Sequence, residues 1–252
     1  MKKSRRYLII LMILAAAALL GVAALAILPV GPSPVFPAGW QAVRDDAIAA
    51  RFAPLLHVPA EYGILEAVYY RAAISPDGRL HLAYHPVWAF ERNANSGFLP
   101  LLNRLVYTGG LSLQRLMFGN GDVELIVCVL DPAGQQIEEV WYERPAGYDP
   151  AAFSVSHEPR REAFGEAGRP ELRVASWNHL FEPGGLNGSL SGNGVSNQIA
   201  DQSAAVTTIP PIPAYFDAAL WAAYRMTKSR PTRLFKHRAH FDWELAVVEP
   251  ID

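Results

Sequence analysis

The nine residues Asp122-Val123-Glu124-Leu125-Ile126-Val127-Cys128-Val129-Leu130 decide the fold. After Glu124 both alternating sets are apolar: Ile126, Cys128 and Leu130 on one side, Leu125, Val127 and Val129 on the other. Successive strand residues point to opposite faces, so a strand apolar on both is central in its sheet and covered twice. Such a strand needs neighbours, and the sequence supplies them on either side. Downstream, Asp131-Pro132-Ala133-Gly134 turns the chain into Gln135 to Arg144, a second hairpin arm. Upstream, Gly63 to Ile74 and Arg79 to Arg92 are rich in Tyr, Val, Ile and Trp. Ser75-Pro76-Asp77-Gly78 joins them as a hairpin turn, because proline presets φ and glycine accepts a positive φ.

Further strands are expected over Ala152 to His157, Leu172 to Trp177 and Phe241 to Val248. Helices are expected over Trp40 to Leu56, with Pro54 weakening the end, and over Pro213 to Lys228. The apolar Leu99 to Phe118 segment reads as two short helices broken at Gly109-Gly110. Gly184 to Gly194 is a polar loop whose glycines cannot support regular structure. The expected fold class is therefore α+β: one β-rich, sandwich-like domain over residues 40–252 with flanking helices, preceded by a single N-terminal transmembrane helix.

That helix is expected from Tyr7 to Leu28, about 22 residues without a charge, which at about 1.5 Å per residue spans about 33 Å. Lys2, Lys3, Arg5 and Arg6 precede it and favour a cytoplasmic N-terminus with the bulk of the chain extracytoplasmic. Residues 1–30 thus form a basic tip and membrane anchor. The competing reading is a cleaved signal peptide, since Ala24-Leu25-Ala26 fits a small-residue cleavage site. Pro-rich residues 31–39 form an extended linker. Of 22 Lys and Arg, 18 lie beyond the anchor against 24 Asp and Glu, so the exported part is acidic and a poor partner for nucleic acid. A single cysteine, Cys128, excludes an intramolecular disulfide framework and reads as a buried small hydrophobe.

The chain has no nucleophile elbow, phosphate-binding loop, zinc-protease helix or dinucleotide fingerprint. What remains is two acidic clusters. Asp122 and Glu124, at i and i+2, share one face at a strand end, where two carboxylates serve either a hard divalent cation or simple solvation. His240, Asp242 and Glu244 share a face if Phe241 begins a strand, giving an alternative metal or acid/base set, or the polar side of an edge strand. His81 and His85 lie about 13 Å apart on a strand, so they cannot share an ion and are expected to be separate hydrogen-bonding residues. Ser156-His157 and Asn178-His179 follow strand patterns, and no acid partner for either histidine is assignable.

The segments RFAPLLHV (Arg51 to Val58), AVYYR (Ala67 to Arg71), HLAYHPVWAFERN, GDVELIVCVL, FSVSHEP and ELRVASWNHLF occur in that order over about 130 residues. This order resembles the β-sandwich group containing the vacuolar-protein-sorting-62-related and necrosis-and-ethylene-inducing-like proteins. The resemblance matches Asp122 and Glu124 to the two acids of the group's Asp-Trp-Glu strand, His157 to its middle histidine and His179 to its last. It implies a metal set of Asp122, Glu124 and His157, since in the necrosis-inducing proteins the acidic strand contributes to a divalent-cation site used in binding lipid head groups. Val123 replaces the tryptophan, and Gly119 and Gly121 stand where that family has histidines.

The resulting expectation is a membrane-anchored extracytoplasmic domain with a non-catalytic binding or envelope-associated role, its ligand a lipid, glycan or protein. The alternative is a divalent-metal-dependent hydrolase or metal-assisted lipid-binding domain, with the cation as its cofactor. A third reading has the Leu99 to Phe118 segment contact a partner or the bilayer surface, which requires an exposed apolar patch there.

Overall fold

The computed structural model describes Tyr7, Ile10, Met12, Ile13, Leu14 and Gly21, and residues 38–108, 121–166, 168–185, 206–209 and 212–224. They form a β-rich domain of two sheets with few helices. The larger sheet runs β1 (Gln41–Val43), β3 (Leu65–Ile74), β4 (Leu80–Trp88), β6 (Ile126–Leu130), β7 (Ile137–Ala146), β8 (Ser156–Glu166). The short β5 (Asp122–Val123) lies beside the end of β4, and β12 (Ala214–Tyr215) runs parallel to β3. The smaller sheet has the order β10 (Phe181–Pro183), β9 (Glu171–Val174), β2 (Leu55–Pro59), β11 (Val206–Ile209).

As its composition requires, β6 is interior to its sheet and buried at all five positions. Ile126, Cys128 and Leu130 face the core between the sheets with Tyr70, Leu82, Tyr84 and Trp88, against Leu56, Val58, Leu172, Val174 and Phe181 of the smaller sheet. Burial pushes the Cys128 thiol pKa up, so it stays a small hydrophobe. The hairpin turn is as expected, with Gly78 at φ 84° and its N–H donating to the Ser75 carbonyl at 2.8 Å.

The helix expected over Trp40 to Leu56 is instead three elements. Residues 41–43 pair with Ile74 to Ala72 as β1, and Asp45 then caps α1 (Asp46–Phe52) by accepting from the Ala47 and Ile48 N–H groups. Pro54, which has no N–H to donate, stands between that helix and β2. Core tyrosines pin the helix: Tyr84 Oη donates to the Ala49 carbonyl at 2.8 Å, and Tyr70 Oη to the Asp46 carboxylate. The strand expected to end at His157 instead begins at Ser156, because Asp149 folds residues 149–152 into a turn. The charges of β8 disguised it, yet they pair across to β7: Arg144 with Glu158 at 2.7 Å, Tyr142 with Glu162 at 2.7 Å, and Arg161 over the Trp141 ring at 4.0 Å. The helix expected from Pro213 begins only at α2 (Ala218–Ala223), after β12. Phe241 to Val248 lies outside the described residues, as does most of the apolar run Tyr7 to Leu28. Among the described residues no helix is long and apolar enough to cross a membrane.

The outer face of the larger sheet is also buried, by Ala73, Ala83, Val127, Val129 and Trp141 with Trp40 against them. His81 sits there between Trp40 and Trp141, and His85 between Phe216 and Trp221. They are separate, as expected, but no ring nitrogen of either has a hydrogen-bond partner among the described residues. Burial pushes His81 down to about 4 and His85 down to about 3. Both are therefore folded neutral, while the unfolded chain takes up their protons near pH 6.5, so stability falls as pH drops from about 6.5 toward these lower values. Denaturant titrations should show roughly 1–2 kcal/mol lost per histidine between pH 7.5 and 5, with a flatter acid limb for His85→Phe.

Candidate functional site at the end of the sandwich

The strand expected from Asp122 to Leu130 is interrupted at Glu124–Leu125, and Pro86 explains why. Val87 pairs with Val123 and Tyr84 with Ile126 in one continuous register, which sets Pro86 opposite Glu124. The Glu124 N–H donates to the Pro86 carbonyl at 3.1 Å, but Pro86 has no N–H to return. The alternation nevertheless persists, so Asp122 and Glu124 continue the inward-facing row of Ile126, Cys128 and Leu130. The two acids therefore lie at the end of the space between the sheets.

Gly121 lets β5 approach β4. A Cβ at that position would stand 2.8 Å from the Trp88 carbonyl oxygen, 3.1 Å from Tyr224 and 3.3 Å from Val87. Trp88, paired with Asp122, turns its indole inward, where the His179 ring stacks on it at 4.2 Å between centroids and 4° between planes. His179 belongs to the β9–β10 turn of the smaller sheet and is the one non-glycine residue with positive φ (61°) among those described. That turn is closed by its N–H donating to the Ser176 carbonyl at 3.0 Å and by the Ser176 hydroxyl accepting from the Leu180 N–H at 3.3 Å.

The hydrogen bonds of His179 fix the proton count. Nε2 lies 2.8 Å from the Tyr62 carbonyl oxygen, which can only accept, so Nε2 carries a proton. Nδ1 lies 2.5 Å from Asp122 Oδ2, a contact that needs a second proton between the two atoms. Wherever that proton sits, Asp122 and His179 together are neutral. Both are buried, so the bond joins the two sheets in a medium where a lone charge would be costly.

Around this neutral pair stand Glu91, from the loop after β4, and Glu124. Glu91, Asp122 and Glu124 each offer an oxygen within 4.8 Å of the others. Oxygens on one cation sphere of about 2.4 Å radius are at most about 4.8 Å apart, so the three fit a single divalent ion. Asp122 and His179 are neutral together, so the acidic character of the cluster comes from Glu91 and Glu124.

The structure brings Asp122 and Glu124 together but not His157. That side chain hydrogen-bonds instead to Glu143 through Nδ1, while Asn178 Nδ2 donates to its Nε2 at 3.2 Å. Ser176 Oγ in turn donates to Asn178 Oδ1 at 2.7 Å. His157 thus braces the β9–β10 turn from which His179 projects, instead of joining the acids. Glu91 went unrecognised in the sequence because a loop acid has no periodic signature. His240, Asp242 and Glu244 lie outside the described residues. No protein-family model, no curated protein and no solved structure matches the chain.

Three substitutions test this construction. His179→Phe keeps a ring on Trp88 but strands Asp122 and the Tyr62 carbonyl, and should cost roughly 3 kcal/mol in chemical denaturation; Asp122→Asn in the same background should recover part of it. Gly121→Ala should cost about 1–3 kcal/mol by pressing β5 off β4.

Proposed function

We propose that this chain is a membrane-anchored, extracytoplasmic binding domain that holds a divalent cation at one end of its sandwich and uses it to engage an anionic ligand group. The observation that carries the reading is the convergence of Glu91, Asp122 and Glu124 within 4.8 Å around a carboxylate already neutralised by His179. The resemblance of the segment order to a β-sandwich group with an acidic-strand cation site points the same way. Binding is favoured over hydrolysis because, among the described residues, neither His157 nor His179 beside the acids has a ring nitrogen poised to take a proton. His157 Nε2 accepts from Asn178, and both nitrogens of His179 are engaged. The anchor reading rests on the basic tip and the uncharged run Tyr7 to Leu28. Its described members Tyr7, Ile10, Met12, Ile13 and Leu14 are helical and exposed, as side chains meant for lipid would be.

Calorimetric titration of the full chain in detergent with Ca²⁺ or Mn²⁺ should give one site per chain. Thermal melts should rise on cation addition and fall with chelator, by about 2.7 kcal/mol at a hundredfold excess over Kd. Glu91→Gln/Glu124→Gln spares the Asp122–His179 bond and should abolish the response to both cation and chelator. A stable variant that still binds, or a wild type indifferent to both cations and chelator, overturns the reading.

A further inference from the structure

A line of four hydrogen-bonded side chains runs from the larger sheet into the β9–β10 turn of the smaller one. The Glu143 carboxylate is bonded to His157 Nδ1, and His157 Nε2 accepts from Asn178 Nδ2 at 3.2 Å. Asn178 Oδ1 accepts from the Ser176 hydroxyl at 2.7 Å, and Ser176 Oγ accepts from the Leu180 N–H at 3.3 Å. The outer end of the line is wet and the inner end is dry: the His157 side chain is 38% exposed, whereas Asn178 and Ser176 are buried. Every donor points toward Glu143. The arrangement therefore holds for one protonation state of His157, with a proton on Nδ1 and none on Nε2.

A second proton on the ring reverses the line. A protonated Nε2 can only donate, so it needs Asn178 Oδ1 opposite it, and the amide must turn over. Asn178 Nδ2 then faces Ser176 Oγ and donates to it. The Ser176 hydroxyl thereby loses its acceptor, and a buried O–H without a partner is costly. That cost falls on the turn itself, since the Ser176 carbonyl accepts from the His179 N–H at 3.0 Å. Glu143 of β7 is the charged group bonded to the ring. Other nearby charges are engaged elsewhere. Glu158, next along β8, pairs with Arg144 and Arg160, and the Asp149 carboxylate accepts from the Ala151 N–H. Both nitrogens of His179 are held by Asp122 and Tyr62. We infer that His157 and Asn178 form a proton-operated latch: acidification reverses the Asn178 amide and loosens the turn that presents His179. The latch needs no bound cation.

The test uses nuclear magnetic resonance on the full chain in detergent, with its His and Asn nitrogens isotopically labelled. Chelator is present throughout, so the result is independent of the cation site, which calorimetry reads separately. Spectra are followed from about pH 8 to about pH 5, the span over which an ordinary imidazole changes charge. His81 and His85, pushed down to about 4 and about 3, stay largely neutral over that span. The Asn178 side-chain amide resonances should move with the same midpoint as the His157 ring. Protection of the His179 and Leu180 N–H groups against hydrogen exchange should fall by roughly tenfold, while the Gly78 N–H of the hairpin turn is unaffected. His157→Gln freezes the neutral arrangement, its amide donating to Glu143 and its carbonyl accepting from Asn178. It should keep the turn protected at both ends of the range. Asn178→Asp, whose carboxylate accepts from the protonated Nε2 and from Ser176 together, should do the same. An Asn178 amide indifferent to the state of His157, or a turn that loosens in acid in either variant as it does in the wild type, overturns the inference.

Discussion

One proton, held between Asp122 Oδ2 and His179 Nδ1, ties the two sheets together at the end where the candidate site lies. Asp122 comes from β5 of the larger sheet and His179 from the β9–β10 turn of the smaller one. The same imidazole stacks on Trp88 and donates to Tyr62, so four segments distant in sequence meet on one ring. Removing the proton would leave two acceptors facing each other out of water, a cost of several kcal/mol. Glu91 and Glu124 can converge because their neighbour Asp122 is already neutralised; three bare carboxylates at that spacing would repel one another.

The supports of that ring are local and physical. The left-handed backbone at His179, strained for a residue with a Cβ, is tolerated because the Ser176 turn and the Asn178–His157–Glu143 chain hold it. Pro86 plays a comparable part on the other sheet. By withholding one N–H it breaks the ladder at Glu124, which stays inward-facing at the mouth of the core without a full strand pairing.

Much of this was legible in the residues, for reasons that can be named. The central strand was legible because burial on both faces demands two apolar rows. The Asp122–Glu124 pair was legible because strand periodicity survives the ladder break. Position 179 emerged only from the ordered segments of the resemblance, since a histidine two residues past a short strand carries no pattern of its own. Glu91 was not legible: a loop acid acquires its place from the pairing of β4 with β5. The split of Trp40 to Leu56 into strand, helix and strand is not legible, because β1 is a three-residue edge strand whose signal is its partner β3. The extent of β8 is not legible, because cross-strand ion pairs and hydrogen bonds, invisible in a linear reading, make its charges compatible with a sheet. The exposed apolar patch anticipated for Leu99 to Phe118 is present in its described part.

Diffraction at the manganese absorption edge from crystals of the full chain soaked in Mn²⁺ addresses the central claim directly. A single anomalous peak within about 2.4 Å of one oxygen each from Glu91, Asp122 and Glu124, with the Asp122–His179 bond intact, is the expected result. A peak located at His157 and Glu143, or none near the three acids at saturating Mn²⁺, would contradict it.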